Sequence, residues 1–88
     1  MPLKQLAELC RRTATAHATG IAARKIWERE ANSGGTRKRS EMAKVSQAVN
    51  RGETLAGALE TTGNYLPKLV RDLVHAGEQA GKVDQVLN

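Results

Sequence analysis

The sequence predicts an all-α protein, an antiparallel bundle of five short helices followed by the start of a sixth. Apolar residues recur at spacings of three and four along most of the 88 residues, and no stretch alternates polar and apolar residues over the length of a strand. Glycines interrupt this periodicity at several points, as expected where short helices end. Residues 1–88 are therefore expected to form a single helical domain.

The first predicted helix runs from Leu3 to His17, and its apolar residues lie three, four and seven positions apart. That face consists of Leu3, Leu6, Ala7, Cys10 and Ala14. Gly20 ends the segment, and a second helix over about residues 22–31 places Ile26 and Trp27 on one side. The turn-forming sequence Asn-Ser-Gly-Gly at 32–35 then separates the second helix from the third.

The third helix is predicted over residues 36–51, with Gly52 in the position of a left-handed C-terminal cap. Its apolar positions are Met42, Val45 and Val49. Thr54 is the predicted N-cap of a short fourth helix, which is expected to close at Gly63. The apolar positions of that helix are Leu55, Ala58 and Leu59.

The fifth helix opens at Leu66 and Pro67 and carries the most regular apolar stripe of the chain. The stripe consists of Leu66, Leu69, Val70, Leu73 and Val74. This helix is expected to end between Gly77 and Gly81. Three further apolar residues at helical spacing predict the first turns of a sixth helix, and these are Val83, Val86 and Leu87.

The composition predicts a thin core. The chain has 13 alanines but only 17 leucine, valine and isoleucine residues and two aromatic residues, Trp27 and Tyr65. A deep enclosed active site is therefore not expected. No apolar stretch approaches the roughly 20 residues that a membrane-spanning helix needs. The single cysteine, Cys10, cannot form an internal disulfide, which fits a reducing compartment.

Charge is distributed unevenly along the chain. Residues 1–52 carry 11 basic and 4 acidic side chains, whereas residues 53–88 carry 3 basic and 5 acidic ones. One hypothesis is a basic docking face for an acidic partner or anionic lipid headgroups, formed by Arg11, Arg12, Arg37, Lys38 and Arg39. The alternatives are an ordinary solvated face and, from a different class, a small basic helical protein that binds nucleic acid. The scarcity of stacking aromatics argues against nucleic acid.

Catalytic and metal-binding patterns are incomplete. Cys10 with His17, and His75 with Glu78, are pairs at helical spacing, but zinc requires three or four convergent ligands and a cysteine nucleophile requires its own base. Cys10 is better explained as a small core residue. Trp27 is either a core residue or an interface anchor. No cofactor, metal or enzymatic activity is expected.

Three sequence phrases, taken together, resemble the cytoplasmic domain of the type II secretion system protein F family, whose members are inner-membrane platform proteins related to those of type IV pilus assembly. The first phrase is Leu6-Ala7 followed by Thr19-Gly20-Ile21. The second is VNRGETLAGAL at residues 49–59. The third is Leu66-Pro67 followed by VHAGEQAGKV at residues 74–83.

The resemblance implies a non-enzymatic interaction module on the cytoplasmic side of the bacterial inner membrane, in contact with the membrane only through parts outside this chain. Its implied partners are the secretion or pilus assembly ATPase and other platform proteins. The residues that carry the structural motif are Gly20, Gly52, Leu55, Leu59, Pro67, Gly77, Glu78 and Gly81. A homodimer is a further expectation, because the thin core and incomplete sixth helix would leave apolar surface exposed.

Glu78 follows the fifth apolar stripe and lies between two of the motif glycines. A carboxylate at this position can accept backbone N–H groups from the start of a helix, here expected to be the next one. A contact with a partner protein and the ligation of a cation are the alternatives.

Overall fold

The computed structural model of the chain describes residues 1–81 and confirms the all-α class, with no strand among those residues. Five α-helices and one short 3-10 helix follow one another, and each α-helix packs against the next along the chain. They are α1 (Leu3–Ala18), α2 (Ala23–Ala31), α3 (Thr36–Asn50), α4 (Leu55–Glu60), the 3-10 helix (Gly63–Tyr65) and α5 (Lys68–Ala80). The sixth helix predicted from Val83, Val86 and Leu87 lies outside the described residues.

The observed boundaries agree with those predicted from the sequence to within about two residues, except after α4. Thr54 is the N-cap of α4 as predicted, because its hydroxyl accepts a hydrogen bond from the Gly57 N–H at 3.1 Å. The prediction that Gly63 closes this helix is wrong: α4 ends at Glu60, and Gly63 begins the 3-10 helix that leads to Pro67. Pro67 is the N-cap residue of α5.

Several helix ends use glycine in the left-handed conformation. Positive φ angles occur at Gly20, Gly34, Gly52, Gly63 and Gly81. Gly81 is the C-cap of α5, with φ 71° and ψ 26°, and its N–H donates to the Glu78 carbonyl at 3.2 Å. Gly77, in contrast, is buried within α5 and does not end it.

The core is formed by one contiguous cluster from all five helices. Its members are Leu6, Leu9, Ala14, Ile26, Trp27, Met42, Val45, Ala48, Leu55, Ala56, Ala58, Leu59, Tyr65, Leu66 and Val74. Trp27 is only 2% exposed, which makes it a core residue. Because alanine adds little bulk, the fully buried Ala48 and Ala58 allow the contacting helices α3 and α4 to pack closely.

The buried face of α1 differs from the predicted one. Leu3 is 81% exposed and Ala7 is also exposed, whereas Leu9 and Thr13 are almost completely buried. Thr13 can lie in the core because its hydroxyl donates to the Leu9 carbonyl at 2.8 Å, so no polar group is left unsatisfied. The predicted face left out the apolar Leu9 and the polar Thr13 and therefore lay too far to one side of the helix.

The apolar stripe of α5 is also only partly buried. Leu66 and Val74 are in the core, but Leu69 is 69% exposed and Leu73 is 47% exposed. The stripe is wider than the surface that α4 covers, since Leu69 and Leu73 lie four residues apart along one edge of it. Within the described part of the chain, the stripe predicted from the sequence therefore has an exposed edge at these two leucines.

Glu78 joins the end of α5 to the start of α4. Its two carboxylate oxygens accept the backbone N–H groups of Leu55 at 2.6 Å and Ala56 at 2.8 Å. Together with Thr54, Glu78 thus satisfies three of the amides that a helix start leaves without partners. The carboxylate does bind a helix start, but the helix is α4, more than twenty residues earlier, and Glu78 itself lies in the last turn of α5.

We expect the substitution Glu78→Gln to lower the free energy of unfolding by about 1–3 kcal/mol, because the amide has one accepting oxygen and its NH2 group would face the second backbone N–H as a donor. The matched control is Glu53→Gln, which removes an exposed ion pair with Arg51 in the preceding loop and should change stability by less than about 0.5 kcal/mol. Urea unfolding at neutral pH measures both. Equal losses in the two variants would contradict the structural role of Glu78.

Candidate functional site

The structure divides the predicted basic face into residues that are already engaged and residues that are available. Arg12 of α1 and Lys38 of α3 both bind the same carboxylate, that of Glu30 in α2. The guanidinium of Arg37 lies over the ring of Tyr65, 5.3 Å from its centroid. The two remaining members of the face, Arg11 and Arg39, are exposed, and no ion pair or hydrogen bond of their side chains is found among residues 1–81.

The cluster around Glu30 has the geometry of a partly buried, charge-assisted hydrogen-bond network, in which the Arg12 side chain is about half exposed. Arg12 donates from Nε to Oε2 at 3.2 Å and from Nη2 to Oε1 at 2.8 Å, which is a two-point contact. The Lys38 ammonium lies 2.9 Å from Oε1. Glu30 is only 7% exposed, so the cluster fixes α1, α2 and α3 to one another at a single carboxylate.

Lys38 also terminates α2. Its ammonium donates to the Glu30 carbonyl at 2.8 Å and to the carbonyl and hydroxyl of Ser33 at 3.1 and 3.0 Å. A cation is favourable there because the carbonyls at a helix C-terminus lack partners. Gly34 leaves room for the Lys38 side chain to reach these acceptors. Its φ is +86°, and a Cβ at this position would lie 2.7 Å from the Lys38 Cδ.

The protonation state of Glu30 follows from its partners. Burial disfavours the charged carboxylate, but the hydrogen bonds from Arg12 and Lys38 outweigh burial and hold the pKa of Glu30 below its ordinary value. The same hydrogen bond raises the pKa of Arg12. The cluster is therefore fully charged at neutral pH.

A groove runs between α1 and α2 on either side of this cluster. Its larger part, of about 550 Å³, has Ala16, Ile21 and Ile26 among its lining residues, together with Arg11 and Arg29. The smaller part, of about 450 Å³, extends to the loop between α2 and α3. Glu8 and Arg12 line both parts, so the cavities meet at the Arg12–Glu30 ion pair.

The sequence interpretation missed Glu30, Arg29 and the apolar lining of this groove. A usable signal existed for Glu30, since Ile26, Trp27 and Glu30 lie one and four positions apart and share one face of α2. A glutamate on an otherwise apolar face indicates a buried carboxylate that needs cationic partners. The partners themselves are eight and eighteen residues away, a distance at which helical periodicity carries no information.

The residues considered for catalysis or metal binding are not brought together. Among residues 1–81, no group of three or more histidine, cysteine or acidic side chains could hold a metal ion. Burial raises the pKa of the half-buried Cys10, the opposite of what a nucleophile needs. His17 lies against Trp27, with ring centroids 6.5 Å apart, and His75 contacts Gln79.

This arrangement is that of a small all-α domain whose distinctive surface is a charged groove, a feature suited to binding. The family described as Type II secretion system, protein F matches this chain over residues 9–88. The chain therefore belongs to that family, as the three phrases in its sequence predicted.

A curated relative supports the same assignment over a shorter stretch. The Type II secretion system protein F of Pseudomonas aeruginosa is 37% identical over 49 residues, which cover 56% of this chain and 12% of that relative. The chain thus corresponds to a small part of the relative's length. Within residues 1–81, none of the helices has the length and apolar character needed to cross a membrane.

We expect the Glu30 cluster to make stability depend on pH. Because the pKa of Glu30 is lower in the folded than in the unfolded chain, its contribution is present above about pH 4 and is lost as pH falls toward the folded pKa. Glu30→Gln should therefore be markedly less stable than the parent near neutral pH, and the difference should shrink near pH 3. Thermal unfolding followed by circular dichroism at both pH values measures this difference.

The control for this experiment is Glu28→Gln, an exposed glutamate on the same helix. Its stability should stay within about 0.5 kcal/mol of the parent at both pH values. A Glu30→Gln deficit that is independent of pH would contradict the assignment of a charged cluster.

Proposed function

We propose that this domain is a non-enzymatic docking module of the type II secretion inner-membrane platform, related to that of type IV pilus assembly. It acts on the cytoplasmic side and binds the assembly ATPase or other platform proteins. Membership of the protein F family supports the platform role. The docking role is supported by one observation above all: the exposed guanidinium groups of Arg11 and Arg39 have no ion pair or hydrogen bond with any of residues 1–81.

Charge explains how such a module would find its partner. The first three helices and their loops carry the excess of basic residues, and unpaired surface arginines raise the association rate with an acidic partner and fix its orientation. Arg11 and Arg39 are available for this contact. Lys38 is not, because it is bound within the Glu30 cluster, and reversing its charge would place a second carboxylate against Glu30.

We expect the double substitution Arg11→Glu and Arg39→Glu to weaken capture of the secretion ATPase by about tenfold or more, because both residues are exposed and their reversal leaves the Glu30 cluster intact. A pull-down with the 88-residue chain, repeated at two salt concentrations, measures the effect. The binding that remains should also depend less steeply on salt.

The matched control is Arg24→Glu with Lys25→Glu, which makes the same change in net charge at exposed positions of α2 outside the predicted basic face. These substitutions should leave capture unchanged. Capture that is insensitive to Arg11 and Arg39, or equally sensitive to both pairs, would refute docking through this surface.

A further inference from the structure

We propose that the groove between α1 and α2 binds a protein segment that presents acidic side chains beside aliphatic ones. This inference rests on the proposed docking function and specifies both the place of contact and the chemistry of the partner. The groove combines two features that a simple charged patch lacks: an apolar lining and arginines from both helices.

The apolar lining comes from residues at the end of α1 and the start of α2. Ile26 is a core residue that is 3% exposed, and the half-buried Ile21 and Ala16 pack against the core beside it. The volume of about 550 Å³ is within the range of cavities that bind ligands, roughly 300–1,000 Å³. Aliphatic side chains of a partner could therefore bury apolar surface here.

The charged walls of the groove have unused donors. Arg12 is held by Glu30, but Arg11 and Arg29 have no side-chain hydrogen bond or ion pair with any of residues 1–81. A carboxylate of a segment bound in the groove would meet guanidinium groups from two different helices. Each arginine could then form a charge-assisted hydrogen bond.

The composition of the groove favours a protein segment over a polyanion. The half-buried Ala16 and Ile21 form an apolar wall that a uniformly charged phosphate backbone would leave without a matching surface. The residues described as lining it include no aromatic ring on which a base could stack. A peptide can instead match the pattern, with carboxylates toward Arg11 and Arg29 and aliphatic groups against the half-buried Ile21 and Ala16.

The test is fluorescence anisotropy with the 88-residue chain and a labelled amphipathic peptide of about 14 residues, in which glutamates flank a leucine and isoleucine face. We expect saturable binding, about tenfold weaker for Arg29→Gln and lost for Thr15→Trp, which fills the groove from an exposed position on α1. Arg24→Gln, an exposed arginine on the same helix as Arg29, should bind like the parent. The glutamine analogue of the peptide should bind at least tenfold more weakly.

Several results would overturn the inference: no saturable binding, equal binding of the glutamine analogue, equal losses for Arg24→Gln and Arg29→Gln, or a random DNA duplex that competes as well as unlabelled peptide. A pull-down of the secretion ATPase with the same variants and with Arg39→Glu separates this inference from the proposed function. Capture that needs Arg39 but tolerates Thr15→Trp rejects the groove and retains the docking role. Normal peptide binding without any ATPase capture supports the groove and rejects the ATPase as the partner.

Discussion

The ion cluster at Glu30 is the interaction on which the arrangement of the first three helices depends. A carboxylate that is 7% exposed is strongly destabilising without partners, and here one partner comes from the helix before it and the other from the helix after it. Because the Arg12 side chain is 49% exposed, solvent screens the Arg12–Glu30 pair and limits its net contribution to stability. The main effect of the cluster is therefore to fix the position of α1, and its contribution to the free energy of unfolding is secondary.

The groove is a consequence of that placement. α1 packs less extensively on α2 than α2 does on α3, and a long arginine side chain bridges the remaining space to the glutamate. The half-buried Ala16 and Ile21 line this space, whereas Ile26 beside them is only 3% exposed. The Arg12 side chain thus keeps accessible an apolar surface that closer packing of α1 on α2 would have covered. The result is looser packing in a domain that already has few large side chains.

Local features of the structure could be predicted from the sequence, and contacts between distant segments could not. Helix boundaries depend on residues at the boundary itself, so Thr54 and the turn before α3 were sufficient to place them. The buried face of α1 and the role of Lys38 depend on which residues of neighbouring helices contact them. A count of charges along the chain does not show that Lys38 is paired with Glu30. Glu78 was correctly interpreted as a ligand of a helix start, but which helix it serves is a matter of tertiary structure.

The contact of Glu78 with α4 also couples the dynamics of two segments. The last turn of α5 cannot unwind without releasing the amides of Leu55 and Ala56, and α4, with only six residues, cannot persist as a helix on its own. The region between these two points is therefore expected to open as one cooperative unit, with a common opening free energy for its amide protons. A force or ligand acting on the C-terminal turn of α5 would reach the start of α4 through the Glu78 carboxylate as well as through the packing between the two helices.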